Sequence, residues 1–252
     1  MDKIKIIYSE EPVLDNPILV EGLPGVGNVG KLAAEHLLDQ IDAVKFADIY
    51  SVHFPPQVVV DDEGVVKLVN NELYYSKADG NHPDLIIMVG DYQGLTPEGQ
   101  YDISDAVLGI ARKFNVSLIF TLGGYGIGKM VETPRVLGAA TSKELVEDMK
   151  EKGVIFSKGE PGSGIVGASG LLLGLGKIAS QKAVCLMGET SGYFVDPKGA
   201  EAVLRILANI LNVQIDFSEL ETKAEQIDLI TSKLKEAENP VEPRREDLGY
   251  IG

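Results

Sequence analysis

The chain of 252 residues contains one cysteine, three histidines and no tryptophan. A disulfide within the chain needs two cysteines, so Cys185 is typical of a protein of the reducing cytoplasm. Its apolar neighbours predict a buried, unreactive thiol. His36, His53 and His82 are far apart, and none has a second His, Cys or carboxylate at the spacing of metal ligands. The sequence therefore predicts no metal site.

Positive charge and long apolar runs are also scarce. Lys and Arg number 23 against 38 Asp and Glu, a formal net charge of -15. Such a surface repels phosphate backbones and anionic lipids, which excludes nucleic acid and membranes as expected partners. The longest weakly polar stretch, residues 163–176, is shorter than the roughly 18 residues of a membrane helix. The first twelve residues are too charged for a signal peptide, so we expect a cytoplasmic protein.

Hydrophobic residues make up 44% and charged residues 24%, as in an ordinary globular protein. Short β-branched runs alternate with helical patterns along most of the chain. This alternation predicts an α/β fold, with a mostly parallel central sheet sandwiched by helices. Continuous apolar runs predict three strands buried on both faces. They are Leu85–Val89, Val116–Leu122 and Ala183–Met187.

One antiparallel excursion interrupts the pattern near residues 57–76. Val58–Val60 and Val65–Val69 flank an Asp-Asp-Glu-Gly turn, which predicts a hairpin, with Leu73–Ser76 as a candidate third strand. Apolar spacing and capping residues predict the helices. These are Asn28–Gln40, a helix capped by Thr96 and running from Pro97 to about Phe114, Ser142–Lys152, Ile165–Ile178, Pro197–Leu211 and Glu219–Glu238.

The domain organisation follows from one break in composition at Asn239 and Pro240. We expect residues 1–239 to form a single α/β domain that ends in the helix 219–238. Residues 240–252 combine prolines with charges and cannot bury themselves, so they are predicted to be a flexible tail.

A glycine-rich turn, Gly25–Gly30, has the spacing GxGxxG and stands between a predicted strand and a predicted helix. That context is typical of dinucleotide binding, and Asp48, 18 residues after Gly30, has the position of a ribose-binding acid. Pro24 stiffens the turn, and a hairpin replaces the second βαβ unit. We therefore favour a tight packing turn, with a nucleotide-dependent enzyme as the alternative.

Two further glycine-rich segments are weaker signals. Residues 123–130 match GxxxxGK, but Met130 replaces the magnesium-binding Ser or Thr, and the next segment looks extended. Ser163 and Ser169 are conceivable nucleophiles, yet Leu171 breaks the GxSxG spacing, so we favour capping and helix packing as their roles. Three carboxylates follow predicted strands, where α/β proteins build ligand sites, so a small-molecule pocket and simple loop capping both stay open. They are Asp91, Glu132 and Glu189.

Four segments in order resemble the archaeal branch of the proteasome assembly chaperone family: VEGLPGVGNVGKLAAEHL at 20–37, FTLGGYGIG at 120–128, GASGLLLGLG at 167–176 and AVCLMGETSGYFVDPKGAEAVL at 183–204. The resemblance spans roughly residues 4–215. It implies a core like that of nucleoside phosphorylases, homo-oligomers, no established catalysis and no cofactor. Members have also been labelled ATP-grasp-like or carboxylate–amine ligases, which gives the nucleotide alternative its reaction class.

Some archaeal members resemble proteasome activators, which implies binding of the core-particle α-subunits through C-terminal tails without ATP. A second, related subunit is a further partner that the resemblance implies. The family's tail signature is a hydrophobic residue, tyrosine and a final residue. Here the chain ends Leu248-Gly249-Tyr250-Ile251-Gly252, so tyrosine stands third from the end and glycine precedes it. The partner-binding residues expected from this resemblance are Leu248, Tyr250, Ile251 and Gly252.

Overall fold

The computed structural model describes residues 2–78, 80, 82–159 and 164–238. The strands are β1 (Ile4–Tyr8), β2 (Ile18–Gly22), β3 (Val44–Ser51), β4 (Val58–Val60), β5 (Val66–Leu68), β6 (Asn71–Ser76), β7 (Leu85–Gly90), β8 (Leu118–Gly126), β9 (Val136–Ala140) and β10 (Ala183–Thr190). The helices are α1 (Val29–Gln40), α2 (Pro97–Lys113), α3 (Lys143–Glu151), α4 (Ala168–Ile178), α5 (Pro197–Leu211) and α6 (Ser218–Glu238).

A single large sheet has the order β1-β3-β6-β7-β2-β8-β10-β9. Its four central strands, β7, β2, β8 and β10, are parallel, whereas the strands on both flanks pair antiparallel. The predicted α/β fold is confirmed as a mixed sheet with a parallel centre. All of β7 and β10 is buried, as their continuous apolar runs predict.

Helices cover the sheet on both faces. On one face, α2 and α4 pack together and bury one apolar cluster with the sheet. On the other face, α1 and α5 pack together, α6 lies against α5, and α3 lies against β9. Within the described residues, no helix is both long enough and apolar enough to cross a membrane.

Local capping signals fix the starts of two of these helices. The Thr96 side chain accepts a hydrogen bond from the Gly99 amide at 3.1 Å, and Pro97 occupies the first turn of α2. The Asp196 side chain accepts from the Gly199 amide at 3.0 Å, one residue before Pro197 opens α5. Both helices begin where the sequence predicts, because the capping side chain, the proline after it and the amide that it binds all lie within four residues of one another.

Three elements differ from the sequence prediction. β6 is not a third hairpin strand but lies in the main sheet, between β3 and β7. β9 is a strand that the sequence does not predict, and Ile155 forms a single bridge to it, with Leu137. Helix α4 begins three residues late, at Ala168, because Gly167 has a φ of 89°, outside the helical region.

The predicted hairpin of β4 and β5 is confirmed and stands apart from the main sheet. It extends the β3–β6 ribbon beyond the carboxyl ends of the parallel strands, since Asn71 at the start of β6 pairs with Gly90 at the end of β7. Every residue of β4 and β5 is exposed. We call this element the valine hairpin.

The closest approach of helix to sheet is between α1 and β8, at Gly30. A Cβ on Gly30 would lie 2.1 Å from the Leu122 carbonyl oxygen, far inside the van der Waals limit. Gly22 on β2 is equally confined, because its Cβ would lie 2.3 Å from that of Ala34 on α1. Glycine at these two positions allows helix and sheet backbones to touch.

We predict that Gly30→Ala destabilises the fold by about 1–3 kcal/mol, because the added methyl group meets a backbone atom that cannot move aside. Gly109→Ala is the matched control. Gly109 also lies inside a helix, but its Cβ would meet only the Arg112 side chain at 3.8 Å. That control should stabilise the protein by about 0.5–1 kcal/mol. Urea unfolding measures both, and equal effects would contradict the packing argument.

Candidate functional site

The carboxyl edge of the parallel strands gathers the glycine-rich turns. There the turn Gly25–Gly30 follows β2, the loop containing Gly128 follows β8, and residues 191–196 follow β10. Backbone hydrogen bonds join them: the Ile127 amide donates to the Thr190 carbonyl at 2.9 Å, and the Asp196 amide donates to the Gly27 carbonyl at 2.8 Å. This is the edge where α/β proteins build ligand sites.

The GxGxxG turn packs tightly against its own protein. Gly27 has a φ of 63°, and a Cβ there would lie 2.7 Å from the Thr190 hydroxyl oxygen. A Cβ on Gly124 would lie 2.2 Å from the Val26 carbonyl oxygen. These contacts give the glycines a packing role and support the interpretation as a packing turn.

Asp48, the candidate ribose-binding acid, lies far from this turn. It is on β3, which β6 and β7 separate from β2. Its carboxylate forms an ion pair with the Lys45 ammonium at 2.7 Å. The spacing in sequence therefore does not translate into proximity, because the chain enters the sheet on the far side of β7.

The GxxxxGK segment is a strand followed by a loop. β8 continues through Gly126, and the next element is the strand β9 rather than a helix. Residues 131–135, which we expect to be extended, form a loop with bends, and β9 begins at Val136. No helix N-terminus therefore follows that could face a phosphate. Met130 itself is exposed.

Glu21 is a buried carboxylate at this edge that the sequence analysis missed. It is fully buried on β2, where its two oxygens accept hydrogen bonds from the Ser169 hydroxyl and the Leu23 amide, both at 3.2 Å. Burial raises the pKa of Glu21 to about 7, although both hydrogen bonds act in the opposite direction. Ser169 thus orients a carboxylate at the start of α4, which fits packing better than a nucleophile.

Gln93 connects the glycine turn to α4. Its amide nitrogen donates to the Pro24 carbonyl at 2.7 Å, and its amide oxygen accepts from the Ala168 amide at 3.0 Å. One side chain therefore holds the turn in front of α1 and the first turn of α4 together. Nothing in the local sequence marks this residue, since both partners lie about 70 residues away.

Glu189, singled out because it follows a predicted strand, is the last but one residue of β10 and is 4% exposed. Its carboxylate accepts from the Arg135 Nε at 2.9 Å and from the Arg135 amide at 3.1 Å. These hydrogen bonds hold the pKa of Glu189 below its usual value. The pair fastens the start of β9 to β10.

The remaining candidate site residues do not lie together in one place. The His36 Nε2 lies 2.7 Å from the Asp216 carbonyl, and the His53 Nε2 lies 3.0 Å from an Asp102 oxygen. Cys185 is buried, and burial raises the pKa of its thiol to about 12. Other predicted residues are placed as follows: His82 is beside Pro83, Asp91 meets the backbone of Asn70, Glu132 lines a groove beside α5 and α6, and Ser163 lies outside the described residues.

Across the described part of the chain, no group of three His, Cys, Asp or Glu residues has the arrangement of a metal site. The predicted partner-binding residues Leu248, Tyr250, Ile251 and Gly252 lie beyond Glu238, outside the described residues. An open cleft of about 790 Å³ occurs at the opposite, amino edge of the parallel strands. It is lined by polar and apolar residues from the end of α1, the end of β6, the end of α5 and the segments next to them.

We predict that Glu21→Gln makes stability less sensitive to pH. The folded state raises the pKa of Glu21 from 4.5 to about 7, so it holds the proton more tightly than the unfolded chain. Its contribution is therefore complete below about pH 4.5 and is lost as the pH rises through about 7. The free energy of unfolding of Glu21→Gln, measured with urea relative to wild type, should therefore rise by up to about 3 kcal/mol between pH 4.5 and pH 8.

Glu189→Gln is a control variant whose stability relative to wild type should change with pH in the opposite direction. Because folding lowers the pKa of Glu189, its contribution exists above the unfolded value and disappears as the pH falls through the folded pKa. This variant should be less stable than wild type at pH 7 and approach it in acid. Parallel pH profiles for both variants would show that neither carboxylate has the environment described.

Comparisons with known proteins identify relatives over the whole chain. The PAC2 family profile matches residues 19–235. The uncharacterized protein MJ1210 of Methanocaldococcus jannaschii is 39% identical over 263 residues, which covers 100% of both chains. This chain is therefore similar over its full length to an archaeal protein.

Two solved structures show the same fold at useful identity. PbaB of Pyrococcus furiosus, an archaeal proteasome activator, has 41% identity and a TM-score of 0.88, covering 93% of this chain and 100% of its own. PbaA of Pyrococcus furiosus, an archaeal homolog of proteasome-assembly chaperone, has 27% identity and a TM-score of 0.78, covering 94% and 93%. Family match, sequence identity and fold agree, and the chain belongs to the PAC2 family.

Proposed function

We propose that this protein is a non-enzymatic, homo-oligomeric proteasome assembly chaperone or activator homologue of the cytoplasm. It binds the α-ring of the proteasome core particle through its C-terminal tail, without ATP. The full-length likeness to PbaB, an archaeal proteasome activator, carries this proposal. The likeness to PbaA, a homolog of an assembly chaperone, supports the same class of partner.

The carboxyl edge of the sheet supports a role without catalysis. Its glycines touch protein backbone, and Gln93 and Arg135 bind groups of the same chain. The buried Glu21 is hydrogen-bonded by a serine and an amide and lies beneath α4. Each of these polar groups has a structural partner, so none is held ready for a substrate.

Helix α6 is the element that leads into the tail. Its first half is anchored, because Leu220 and Ala224 are buried against α5. Its second half leaves Leu229 and Ile230 exposed, at 62% and 55%. Apolar side chains are therefore exposed on α6 shortly before the chain reaches residues 240–252.

The composition of the tail fits capture by a pocket between subunits. Leu248, Tyr250 and Ile251 supply apolar contact, and the tyrosine hydroxyl can donate a hydrogen bond. A terminal carboxylate on Gly252 would pair with a lysine, a recurring mode of peptide capture. Ordering a free tail costs entropy, so one tail binds weakly. Several tails on one oligomer gain about 10²–10⁴ in avidity against a ring.

We predict that removal of Tyr250–Gly252, or Tyr250→Ala, abolishes binding to the core particle and leaves the oligomer intact. Surface plasmon resonance with immobilised core particles measures binding, and light scattering measures the oligomer. Tyr101→Ala is the matched control, since Tyr101 is 54% exposed on α2 and should be neutral. Unchanged binding by the truncated protein would move the contact to the folded body.

We also predict that calorimetric titration with ATP or NAD gives no binding at micromolar concentration. The reason is that the Thr190 side chain fills the space beside Gly27, and the backbone of the turn at Val26 packs directly on Gly124. Micromolar binding that is lost on Gly27→Asp would support the nucleotide-dependent enzyme instead. Because Gly27 has positive φ, the unfolding free energy of that variant must be checked before the titration is interpreted.

A further inference from the structure

The valine hairpin has one face made entirely of aliphatic side chains. Val58 pairs with Leu68, and Val60 pairs with Val66, so all four side chains project from the same face. Between 47% and 63% of each residue is exposed. Val59 and its partner Lys67 occupy the other face.

This hairpin lacks the support that makes such ribbons stable. Among the described residues, β4 and β5 form their own two-stranded sheet and pair with no other strand. An isolated two-stranded hairpin is marginal in water, and an aliphatic face adds to the cost of exposure. A contiguous apolar patch of this kind marks an interaction surface.

A second apolar surface lies at the other half of the same sheet edge, on the loops after β8 and β10. Met130, Phe194 and Val195 line one shallow pocket there, and each is 40–44% exposed. Tyr193 is 74% exposed beside them, and Lys129 is an exposed neighbour of Met130. We call these five residues the loop surface.

The two surfaces cannot meet within one subunit. The hairpin continues β3 and β6, whereas the loop surface follows β8 and β10, and β7 and β2 lie between them. At about 4.8 Å per strand, three to five strand spacings separate them by about 15–25 Å. Two different patches on opposite flanks are the arrangement required for a head-to-tail contact between identical subunits.

The charges beside the two surfaces favour a second copy of this chain as the partner that covers them, although the net charge of the chain does not. Two chains of net charge -15 repel each other, so their contact needs local attraction. The hairpin tip carries the exposed carboxylates of Asp62 and Glu63, and the loop surface carries the Lys129 ammonium. The carboxylates that line the same pocket are already engaged, Asp196 by the Gly199 amide and Asp228 by the Lys198 ammonium. An apolar face with an acidic tip is therefore complementary to the apolar side chains of the loop surface with Lys129 beside them.

We propose that the valine hairpin of one subunit docks on the loop surface of the next. This inference rests on the proposed homo-oligomer and names the surfaces that build it. Because the contact is head-to-tail, it closes into a ring when the rotation between subunits allows closure. In such a ring every hairpin and every loop surface is covered.

A charge exchange tests the contact. Asp62→Lys with Glu63→Lys, and separately Lys129→Glu, should each raise the subunit dissociation constant by about tenfold or more, because each places like charges together. Asp61 is kept, since its carboxylate accepts from the Glu63 and Val65 amides and shapes the turn. Sedimentation equilibrium measures the mass against concentration.

Mixing the two charge variants in equal amounts should restore assembly into alternating oligomers. In the mixture, the basic tip of one variant meets the acidic loop surface of the other. The native tip of the second variant meets the native Lys129 of the first. A contact between two hairpins would instead leave Lys129→Glu fully assembled, and that result would overturn the proposal.

The apolar face has a matched control on the same strand. Val60→Asp should raise the dissociation constant at least as strongly as the charge variants, whereas Val59→Asp, on the opposite face, should leave it within about threefold. Both residues are more than half exposed, so circular dichroism and urea unfolding should show intact subunits. Equal loss of assembly in both variants would contradict a contact through one face.

Different results would refute the proposed homo-oligomer and the proposed contact. A wild-type protein that stays monomeric at micromolar concentration would overturn the proposed homo-oligomer and with it this contact. An oligomeric wild type whose mass is unchanged by Val60→Asp and by Lys129→Glu would overturn only the assigned surfaces. Core-particle binding by the tail is measured independently, on the same variants.

Discussion

Contact between helix backbone and strand backbone, without side chains between them, is the constraint on which the carboxyl edge depends. Gly30 places α1 on the Leu122 carbonyl of β8, and a Cβ on Gly188 of β10 would lie 2.5 Å from the Gly199 carbonyl of α5. Glycine is required at both positions, since any larger residue would push helix and sheet apart. The glycine-rich segment Gly25–Gly30, which stands out in the sequence, therefore marks a site of close packing, as does the single glycine Gly188.

The same constraint explains why the glycine spacing resembles a dinucleotide-binding turn, although the contacts in the structure do not support one. In a nucleotide-binding turn, glycine lets the phosphates approach the backbone and lets the helix approach the strand. At Gly30, the missing side chain lets helix α1 approach strand β8. At Gly27 the space beside the backbone holds the Thr190 side chain. A spacing pattern cannot distinguish these two uses, because both demand a missing Cβ.

Most of the fold could be predicted where the signal is local. Capping by Thr96 and Asp196 acts within one turn, and the apolar runs of β7 and β10 need no knowledge of their neighbours. β9 was missed because its sequence, Val-Leu-Gly-Ala-Ala, lacks β-branched alternation. Its Gly138 is required by the rings and methyl groups of Phe156 and Val154, which lie within 3 Å of a Cβ there. That demand is set by tertiary packing and leaves no local pattern.

The site was less predictable, because its contacts join distant parts of the chain. Ser169 and Glu21 are 148 positions apart, Gln93 and Ala168 are 75 apart, and Arg135 and Glu189 are 54 apart. Of these residues, the sequence singles out Glu189 because it follows a strand, and Ser169 as a capping or packing residue or a conceivable nucleophile. A buried carboxylate such as Glu21 looks in the sequence like any acid at the end of a strand. Its role depends on the helix that covers it.

Because the carboxyl edge is packed against its own backbone, the contacts that we propose lie at the periphery of the molecule. The valine hairpin, the loop surface and the second half of α6 all leave apolar residues exposed, whereas the glycine turns are fastened by hydrogen bonds and contacts. A rigid centre keeps these outer elements at fixed positions, so that identical subunits can present them in register. In the proposed role, avidity depends on geometry, because several weak tails reinforce one another only when they reach their pockets together. A tightly packed centre is then a requirement of that role, since it fixes where each subunit presents its surfaces.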